Sequence, residues 1–355
     1  MKVFLSWSGQ QSKQVAELLS NWLPNVLQSI KPWFSGADIK AGSLWMNELQ
    51  YQLSESKVGI ICLTPENLSA PWILYEAGLL SKSIGNSFII PYLIGFSPID
   101  LSGPLVHFQS VTTSKKDNFK MLQTFNKLSE NSINDDTLKS AFERSWPDFE
   151  SKLSQIIDSN KKITDKSLED INYKVPADLL KEIPKNSIDL LNQVIQQLST
   201  KSEDEQIKLE GNRVFIVHGH NEVIKLTVAR LVEKLGLKAI ILNEQPNQGQ
   251  TIIEKFETNS KSDFAVVLMT ADDKGAQISK EELSFRARQN VIFELGYFTA
   301  KMGRKRLVVL YENGVEIPSD YYGIAYINID QGGAWQFHLA KELKTAGLNV
   351  DMNKI

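Results

Sequence analysis

Val-Phe-Leu-Ser-Trp-Ser at residues 3–8 and Val-Phe-Ile-Val-His-Gly at residues 214–219 decide the fold, because each is an apolar run that ends in a polar loop. Glu76 follows the first run at a distance of 73 residues (76 − 3), and Glu294 follows the second at 80 residues (294 − 214). Each glutamate precedes a short pair that ends in glycine, at residues 77–78 and 295–296. The chain therefore contains a duplicated unit.

Strand and helix patterns alternate in both units, which predicts an α/β fold with parallel sheets covered on both faces. The central strands, expected at 57–63 and 264–269, show little polar alternation, as is typical of parallel sheets. Helices are expected at 70–82 around Glu76 and at 287–300 around Glu294. An amphipathic helix that is interrupted at Pro147 is predicted for residues 138–157. A polar loop is predicted for residues 271–280.

The domain boundaries follow from composition. We predict a first domain at 1–158, a charged linker at 159–212 and a second domain at 213–355. The linker is rich in Lys, Asp, Glu, Ser and Asn, with Ile188, Leu191, Ile195 and Leu198 at helical spacing. This amphipathic helix either packs on a neighbouring domain or mediates self-association.

The bulk composition excludes several classes of protein. With 42% hydrophobic and 23% charged residues among 355, the chain can bury a core in each half. A net charge of −3 gives no general attraction for nucleic acid or an anionic membrane. The single Cys62 excludes a disulfide framework and a cysteine zinc site. No signal-peptide pattern or long apolar run is present, so a cytoplasmic protein is expected.

The two glutamates are the candidate catalytic residues. Ligands of parallel α/β sheets bind beyond the carboxyl ends of the strands, where both glutamate helices begin. Glycosidases normally need two carboxyl groups. Because the nicotinamide of NAD⁺ is already a cationic leaving group, one carboxylate that stabilises the oxocarbenium-like transition state suffices there. Glu76 and Glu294 therefore fit NAD⁺ cleavage, and the alternative for each is a solvated surface carboxylate.

The loops after the strands supply candidate substrate contacts. Trp7, Ser8 and Trp33 lie at such positions in the first unit, and Trp72 precedes Glu76 by one helical turn. Trp residues there either stack on a nucleotide base or pack in the core. In the second unit the candidates are His218, Gly219, Asp272 and Asn290.

Three further alternatives concern charged residues of the second unit. His218 is either a nucleotide contact or a structural hydrogen-bonding group, and no metal site is expected because carboxylate partners cannot be placed. The Asp-Asp-Lys-Gly run at 272–275 either touches ribose or forms a turn. Arg286, Arg288 and Lys301 are expected on solvated helix faces, and the alternative for each is a phosphate ligand.

Residues 1 to about 157 resemble bacterial TIR domains, on Val-Phe-Leu-Ser-Trp-Ser-Gly at 3–9, Pro-Trp-Phe-Ser at 32–35 and above all Pro-Trp-Ile-Leu-Tyr-Glu-Ala-Gly at 71–78. Residues 213 to about 350 resemble the TIR-like nucleotide-binding domains of bacterial antiphage effectors. The matching stretches there are Val-Phe-Ile-Val-His-Gly-His-Asn at 214–221 and Arg-Gln-Asn-Val-Ile-Phe-Glu-Leu-Gly at 288–296.

The resemblance implies two flavodoxin-like domains that cleave NAD⁺ as substrate, without another cofactor, to nicotinamide and ADP-ribose or a cyclic isomer. Glu76 matches the catalytic position of the Trp-x-x-x-Glu motif, and at the equivalent Glu294 motif Asn290 replaces the Trp. The resemblance also implies activation by TIR–TIR assembly, with loop 36–44 involved, and possible sensor or effector partners. A cyclase that makes a signal and a non-catalytic scaffold are the alternatives, and the second unit is the favoured catalytic half.

Overall fold

Two five-stranded parallel sheets form the framework of the protein. The structure is a computed structural model that describes residues 1–34, 52–53, 55–83, 88–166, 211–241, 262–275, 283–317 and 323–355. In the described residues no helix is both long enough and apolar enough to cross a membrane.

The first domain has the strand order β2-β1-β3-β4-β5, with all neighbours parallel. Its strands are β1 (Lys2–Ser6), β2 (Lys31–Phe34), β3 (Val58–Leu63), β4 (Phe88–Leu93) and β5 (Val111–Thr112). Its helices are α1 (Gln10–Val26), α2 (Pro71–Ser83), α3 (Lys115–Leu128) and α4 (Asp135–Lys166).

The second domain repeats this order as β7-β6-β8-β11-β12, again with parallel neighbours. Its strands are β6 (Arg213–Val217), β7 (Lys238–Ile241), β8 (Phe264–Met269), β11 (Leu307–Tyr311) and β12 (Ala325–Asn328). Its helices are α5 (Glu222–Lys234), α6 (Gln289–Met302) and α7 (Ala334–Thr345). Both sheets have the flavodoxin-like order, which confirms the predicted fold class.

The central strands explain this arrangement. All six residues of β3 and all six of β8 are buried, because helices cover both faces of each sheet. The chain reverses its direction of travel across each sheet after the second strand, so the switch point lies between β1 and β3, and between β6 and β8. This edge is where parallel α/β folds place ligands.

The two domains pack through helices α2 and α6, which carry Glu76 and Glu294 and are called the Glu76 helix and the Glu294 helix below. A Cβ atom at Gly78 would lie 2.0 Å from the Phe293 carbonyl oxygen, and one at Gly296 would lie 2.1 Å from the Tyr75 carbonyl oxygen. Tyr75 and Gly78 each precede their counterpart by 218 positions (293 − 75 and 296 − 78). Equivalent residues therefore make equivalent contacts, as in a two-fold interface.

One continuous apolar core follows from this packing. It contains Phe4 and Ile61 from the first sheet and Phe215 and Val267 from the second, with both glutamate helices between them. Each domain also has a separate core on the other face of its sheet. The two domains are thus held together by the burial of apolar side chains around two helices whose backbones approach closely.

Three secondary-structure predictions are wrong or incomplete. Helix α4 continues through Pro147, because Trp146 and Phe149 pack on Trp22 and this burial outweighs the proline cost of about 3 kcal/mol. The predicted loop 271–280 begins an antiparallel hairpin, β9 (Asp273–Gly275) with β10 (Ser284–Arg286). Helix α3 was not predicted.

Several predicted features lie outside the described residues. They are the assembly loop 36–44, most of the helix at 44–53, the segment 244–256 and all of the linker between 167 and 210.

Candidate functional site

Glu76 is sealed inside the first domain, with 1% of its surface exposed. The Ser6 hydroxyl, at the end of β1, donates a hydrogen bond of 2.5 Å to Glu76 Oε2. Trp72, one turn earlier on the same helix, donates a second bond from its side chain. Desolvation raises the pKa of Glu76 to about 7, and the bonds from Ser6 and Trp72 oppose this rise.

The other candidates of the first domain have packing roles in the structure. Trp33 is 7% exposed and stacks on Phe4 with ring centroids 5.2 Å apart. Trp7 is half-buried and stacks on Phe34. The Ser8 carbonyl accepts bonds from Ser12 Oγ at 2.6 Å and from Asn67 Nδ2 at 2.9 Å. Contacts of Trp7, Ser8, Trp33 and Trp72 with a substrate stay predictions.

Glu294 has a different environment. Its side chain keeps partial exposure, and no hydrogen bond to its carboxylate is found among the described residues. Val217 occupies the strand position that Ser6 has in the first domain, so the hydroxyl donor is missing. Desolvation raises the pKa of Glu294 to about 8, and the positive charge of Arg288 opposes the rise. Glu294 is thus a partly exposed residue whose carboxyl group is strongly desolvated and lies near a cation.

The predicted residues His218, Gly219 and Asp272 lie together beside the ends of β6 and β8. His218 Nδ1 donates to the Gly219 carbonyl at 2.8 Å, and burial lowers the pKa of His218, which favours a neutral ring. The two oxygens of Asp272 accept from the His220 amide at 2.9 Å and from Thr270 Oγ1 at 2.6 Å. The structure therefore gives Asp272 a loop-holding role, and its binding to ribose stays a prediction.

Gly219 has a steric reason for its identity. A Cβ atom there would lie 1.9 Å from Asp272 Oδ2, so any other residue would displace the Asp272 side chain from its bonds to His220 and Thr270. Asn290, in the first turn of the Glu294 helix, is half-buried and takes the place of Trp72 without stacking. Its role as a substrate contact also stays a prediction.

Two arginines were placed wrongly on solvated helix faces. Arg286 lies in strand β10, where its Nε donates to Glu316 Oε2 at 2.6 Å and its side chain is 15% exposed. Arg288 precedes the Glu294 helix and contacts His220 Nε2 through Nη1. Arg288 thereby connects Glu294 to His220 and, through the His220 amide, to Asp272. Both arginines precede the first residue of the Glu294 helix, Gln289, and their partners Glu316 and His220 lie far away in the sequence, so no local pattern indicated these contacts.

Ser6 is the other functional residue that the sequence reasoning missed. A hydroxyl at the last position of an otherwise apolar strand was the available signal.

The surroundings of the two glutamates favour stabilisation of a positive charge in the second domain over the first. A carboxylate near a cationic substrate can stabilise a developing positive charge, and Glu294, which is partly exposed as a residue, is better placed for this than Glu76, which is 1% exposed.

Two flavodoxin-like domains, each with a glutamate on the helix after its central strand, define a class of tandem α/β proteins with paired carboxylate sites. Residues 3–128 match the family described as the TIR domain, and residues 213–331 match the TIR domain of the CAP12/Pycsar effector protein family. The chain therefore carries two TIR domains.

Three relatives illustrate the similarity. An uncharacterized protein YuaY of Escherichia coli (strain K12) is 46% identical over 145 residues, which is 41% of this chain and 48% of the relative. Protein tirC of Dictyostelium discoideum is 37% identical over 34% of this chain and 65% of its own. The Pycsar effector protein BcPycTIR of Burkholderia cepacia is 27% identical over 47% and 53%. The matches thus span about half to two thirds of each relative's length.

Proposed function

We propose that the protein is an NAD⁺ glycohydrolase that acts as an antiphage effector, with Glu294 as its catalytic residue. The observation that carries this proposal is the difference between the two environments: Glu294 is partly exposed as a residue and lies near Arg288, whereas Glu76 is 1% exposed and accepts a bond from Ser6. The similarity to Pycsar effector proteins and to CD-NTase-associated protein 12 supports the effector role.

The proposed reaction breaks the bond between nicotinamide and C1′ of the ribose. Nicotinamide leaves with the bonding electron pair and becomes neutral, and the ribose becomes an oxocarbenium ion. Ionised Glu294 stabilises this cation, because an opposite charge in a partly desolvated site interacts strongly. Water then attacks C1′ and loses a proton, which gives ADP-ribose.

The raised pKa of Glu294 fits this role when the substrate is considered. In the empty site the carboxyl group is mainly protonated at pH 7, since its pKa is about 8. The cationic nicotinamide riboside favours the ionised form, as any nearby positive charge does. Substrate binding therefore generates the catalytic carboxylate.

Assembly completes the proposal. The two TIR domains already pair through the Glu76 and Glu294 helices, so further TIR–TIR contacts between chains would build on this unit. We propose that a separate sensor protein triggers that assembly. The dependence of activity on protein concentration measures this part of the proposal independently of the chemistry.

The test is NAD⁺ turnover by purified protein over a range of concentrations with a crowding agent, with products separated by chromatography. We expect ADP-ribose and nicotinamide in equal amounts, and none with Glu294→Gln. A cyclic ADP-ribose isomer would identify a cyclase. Absence of any turnover in the assembled wild type would contradict an enzyme and favour a scaffold.

A further inference from the structure

A cavity of about 380 Å³ lies between the two domains. Ser69, Pro71 and Leu74 line it from the first domain, and residues of the β9–β10 hairpin, the Glu294 helix and Glu316 line it from the second. Neither Glu76 nor Glu294 is among its described lining residues. The cavity is therefore separate from both carboxylate sites.

Two cationic side chains stand on the hairpin wall of this cavity. Lys274 is exposed, and its Nζ lies 5.2 Å from the centroid of the Phe285 ring. Arg286 is held by its bond to Glu316, and that bond uses one of the five N–H donors of the guanidinium group. Backbone bonds fix the hairpin as well, since the Glu316 amide donates to the Phe285 carbonyl at 2.7 Å. The two cationic side chains therefore lie on a hairpin that hydrogen bonds to Glu316 hold in place.

The opposite wall belongs to the first turns of the two glutamate helices and presents apolar side chains beside the polar Gln289. Leu74 and Ile292 face the cavity from the first turns of these helices, with Pro71 at the start of one of them. Neither helix has an acidic residue in its first turn to offset the positive end of its dipole. Asp273 and Glu316 also line the hairpin side, and Glu316 pairs with Arg286. Lys274 and the remaining N–H donors of Arg286 are therefore the groups that could meet an anion there, and Leu74 and Ile292 could meet an apolar body.

We propose that this interdomain cavity binds an organic phosphate of about mononucleotide size. The phosphate group lies against Lys274 and Arg286, because cationic side chains form charge-assisted bonds with phosphate oxygens. The apolar part of the ligand lies against Leu74 and Ile292. The volume is at the lower end of the range of roughly 300–1,000 Å³ that is typical of ligand pockets.

Such a ligand would join the two domains, since its binding site needs walls from both. Anything that binds only the paired arrangement stabilises that arrangement by mass action. The ligand is thus a regulator of how the Glu294 helix is held, and it is distinct from the proposed substrate. The inference does not depend on NAD⁺ cleavage.

The experiment is calorimetric titration of the full chain with AMP, adenosine and inorganic phosphate as probes. It is carried out with the Glu294→Gln variant as well as with wild type, so that binding at Glu294 can be distinguished from binding in the cavity. We expect saturable binding of AMP in both proteins, weaker binding of inorganic phosphate at the same site, and none of adenosine. Lys274→Gln should weaken AMP binding by about tenfold.

A second variant tests the wall from the first domain. Ser69→Tyr fills the cavity and should abolish AMP binding, whereas Ser154→Tyr on the exposed face of helix α4 should not change it. Lys341→Gln is the matched control for loss of a lysine charge at an exposed site. We expect the variants at 69, 154, 274 and 341 to fold, because each of these positions is exposed.

The proposal is overturned if AMP fails to bind, if adenosine binds as well as AMP, or if Lys274→Gln and Ser69→Tyr leave AMP affinity unchanged. Loss of AMP binding in Glu294→Gln alone would assign the nucleotide to the carboxylate site and would equally overturn it. Absence of NAD⁺ turnover would contradict the proposed function and leave the binding result in place.

Discussion

The two halves of this molecule have the same strand order and the same glutamate position, yet they place those glutamates in different surroundings. Glu76 is 1% exposed and accepts bonds from Ser6 and Trp72. Glu294 is partly exposed as a residue, although its carboxyl group is desolvated, and has Arg288 as its charged neighbour. Two substitutions account for the difference, because Val217 stands in place of Ser6 and Asn290 in place of Trp72. Equivalent positions in the two sheets therefore have different surroundings.

The shared helix interface is the feature whose disruption should have the largest effect. Gly296→Leu would drive a side chain into the Tyr75 carbonyl oxygen, so we expect a loss of about 3 kcal/mol or more in the free energy of unfolding. Gly78→Leu should cost a similar amount, because it meets Phe293 in the equivalent way. Urea denaturation measures both.

His338→Ala, at an exposed position of helix α7, is the control for the glycine variants and should change stability by less than about 0.5 kcal/mol. A clear inequality between the two glycine variants would contradict the two-fold character of the interface. Near-neutral effects in both would show that the domains do not pair through these helices.

The burial of Glu76 predicts that the free energy of unfolding decreases as the pH rises. Because its pKa in the folded state is about 7, the folded protein holds a proton that the unfolded chain has lost above about pH 4.5. Stability therefore falls as pH rises from 5 to 8, by up to about 3 kcal/mol from this group. Glu76→Gln should remove this part of the loss.

Thermal or urea unfolding at pH 5 and pH 8 measures the effect. The stability of Glu76→Gln relative to wild type should increase with pH, while Glu17→Gln, at an exposed position of helix α1, should show no such trend. An advantage of Glu76→Gln that is equal at both pH values would mean that Glu76 ionises normally in the folded protein.

The pH dependence of activity should report Glu294. If the ionised carboxylate is the active form, kcat/KM rises about tenfold per pH unit below the pKa of about 8 and levels off above it. The measurement is initial rates at low NAD⁺ concentration between pH 6 and pH 9. A rate that is flat across this range would contradict the raised pKa or the role of Glu294.

A change in the surroundings of Glu294 should have the smallest effect on activity among these predictions. Val217→Ser places a hydroxyl where Ser6 stands in the first domain, and a bond from it to Glu294 would favour the ionised form. We expect the rising limb of the pH profile to move toward lower pH by about one unit or less. Val217→Thr tests the same hydroxyl with a side chain closer in volume to valine. No shift in either variant would show that residue 217 does not face the carboxylate.

The sequence was sufficient for the fold and for the two glutamates, because apolar strands and their spacing are local signals. The strand order and the helices at 71–83 and 289–302 agree with the prediction. The environment of Glu76 could not be read locally, since its hydrogen-bond donor Ser6 lies 70 residues away. The domain pairing was also hidden, because Gly78 and Gly296 matter only when two distant helices meet.

The β9–β10 hairpin is another element that local sequence patterns could not predict. Asp273–Gly275 and Ser284–Arg286 are too short and polar to stand out as strands, and each is defined by its pairing with the other. Helix α4 was interrupted in the prediction because proline disfavours helices, while its packing on Trp22 is a tertiary effect. Contacts between distant segments decided these cases.

The most direct test of the account compares NAD⁺ turnover by Glu294→Gln and Glu76→Gln with that of wild type under identical assembling conditions. Removal of a charge that stabilises the transition state should lower kcat by at least about a hundredfold in Glu294→Gln. Glu76→Gln should retain kcat within about a few-fold of wild type, because its carboxylate is sealed. Loss of turnover in Glu76→Gln with activity retained in Glu294→Gln would contradict the account and assign catalysis to the first domain.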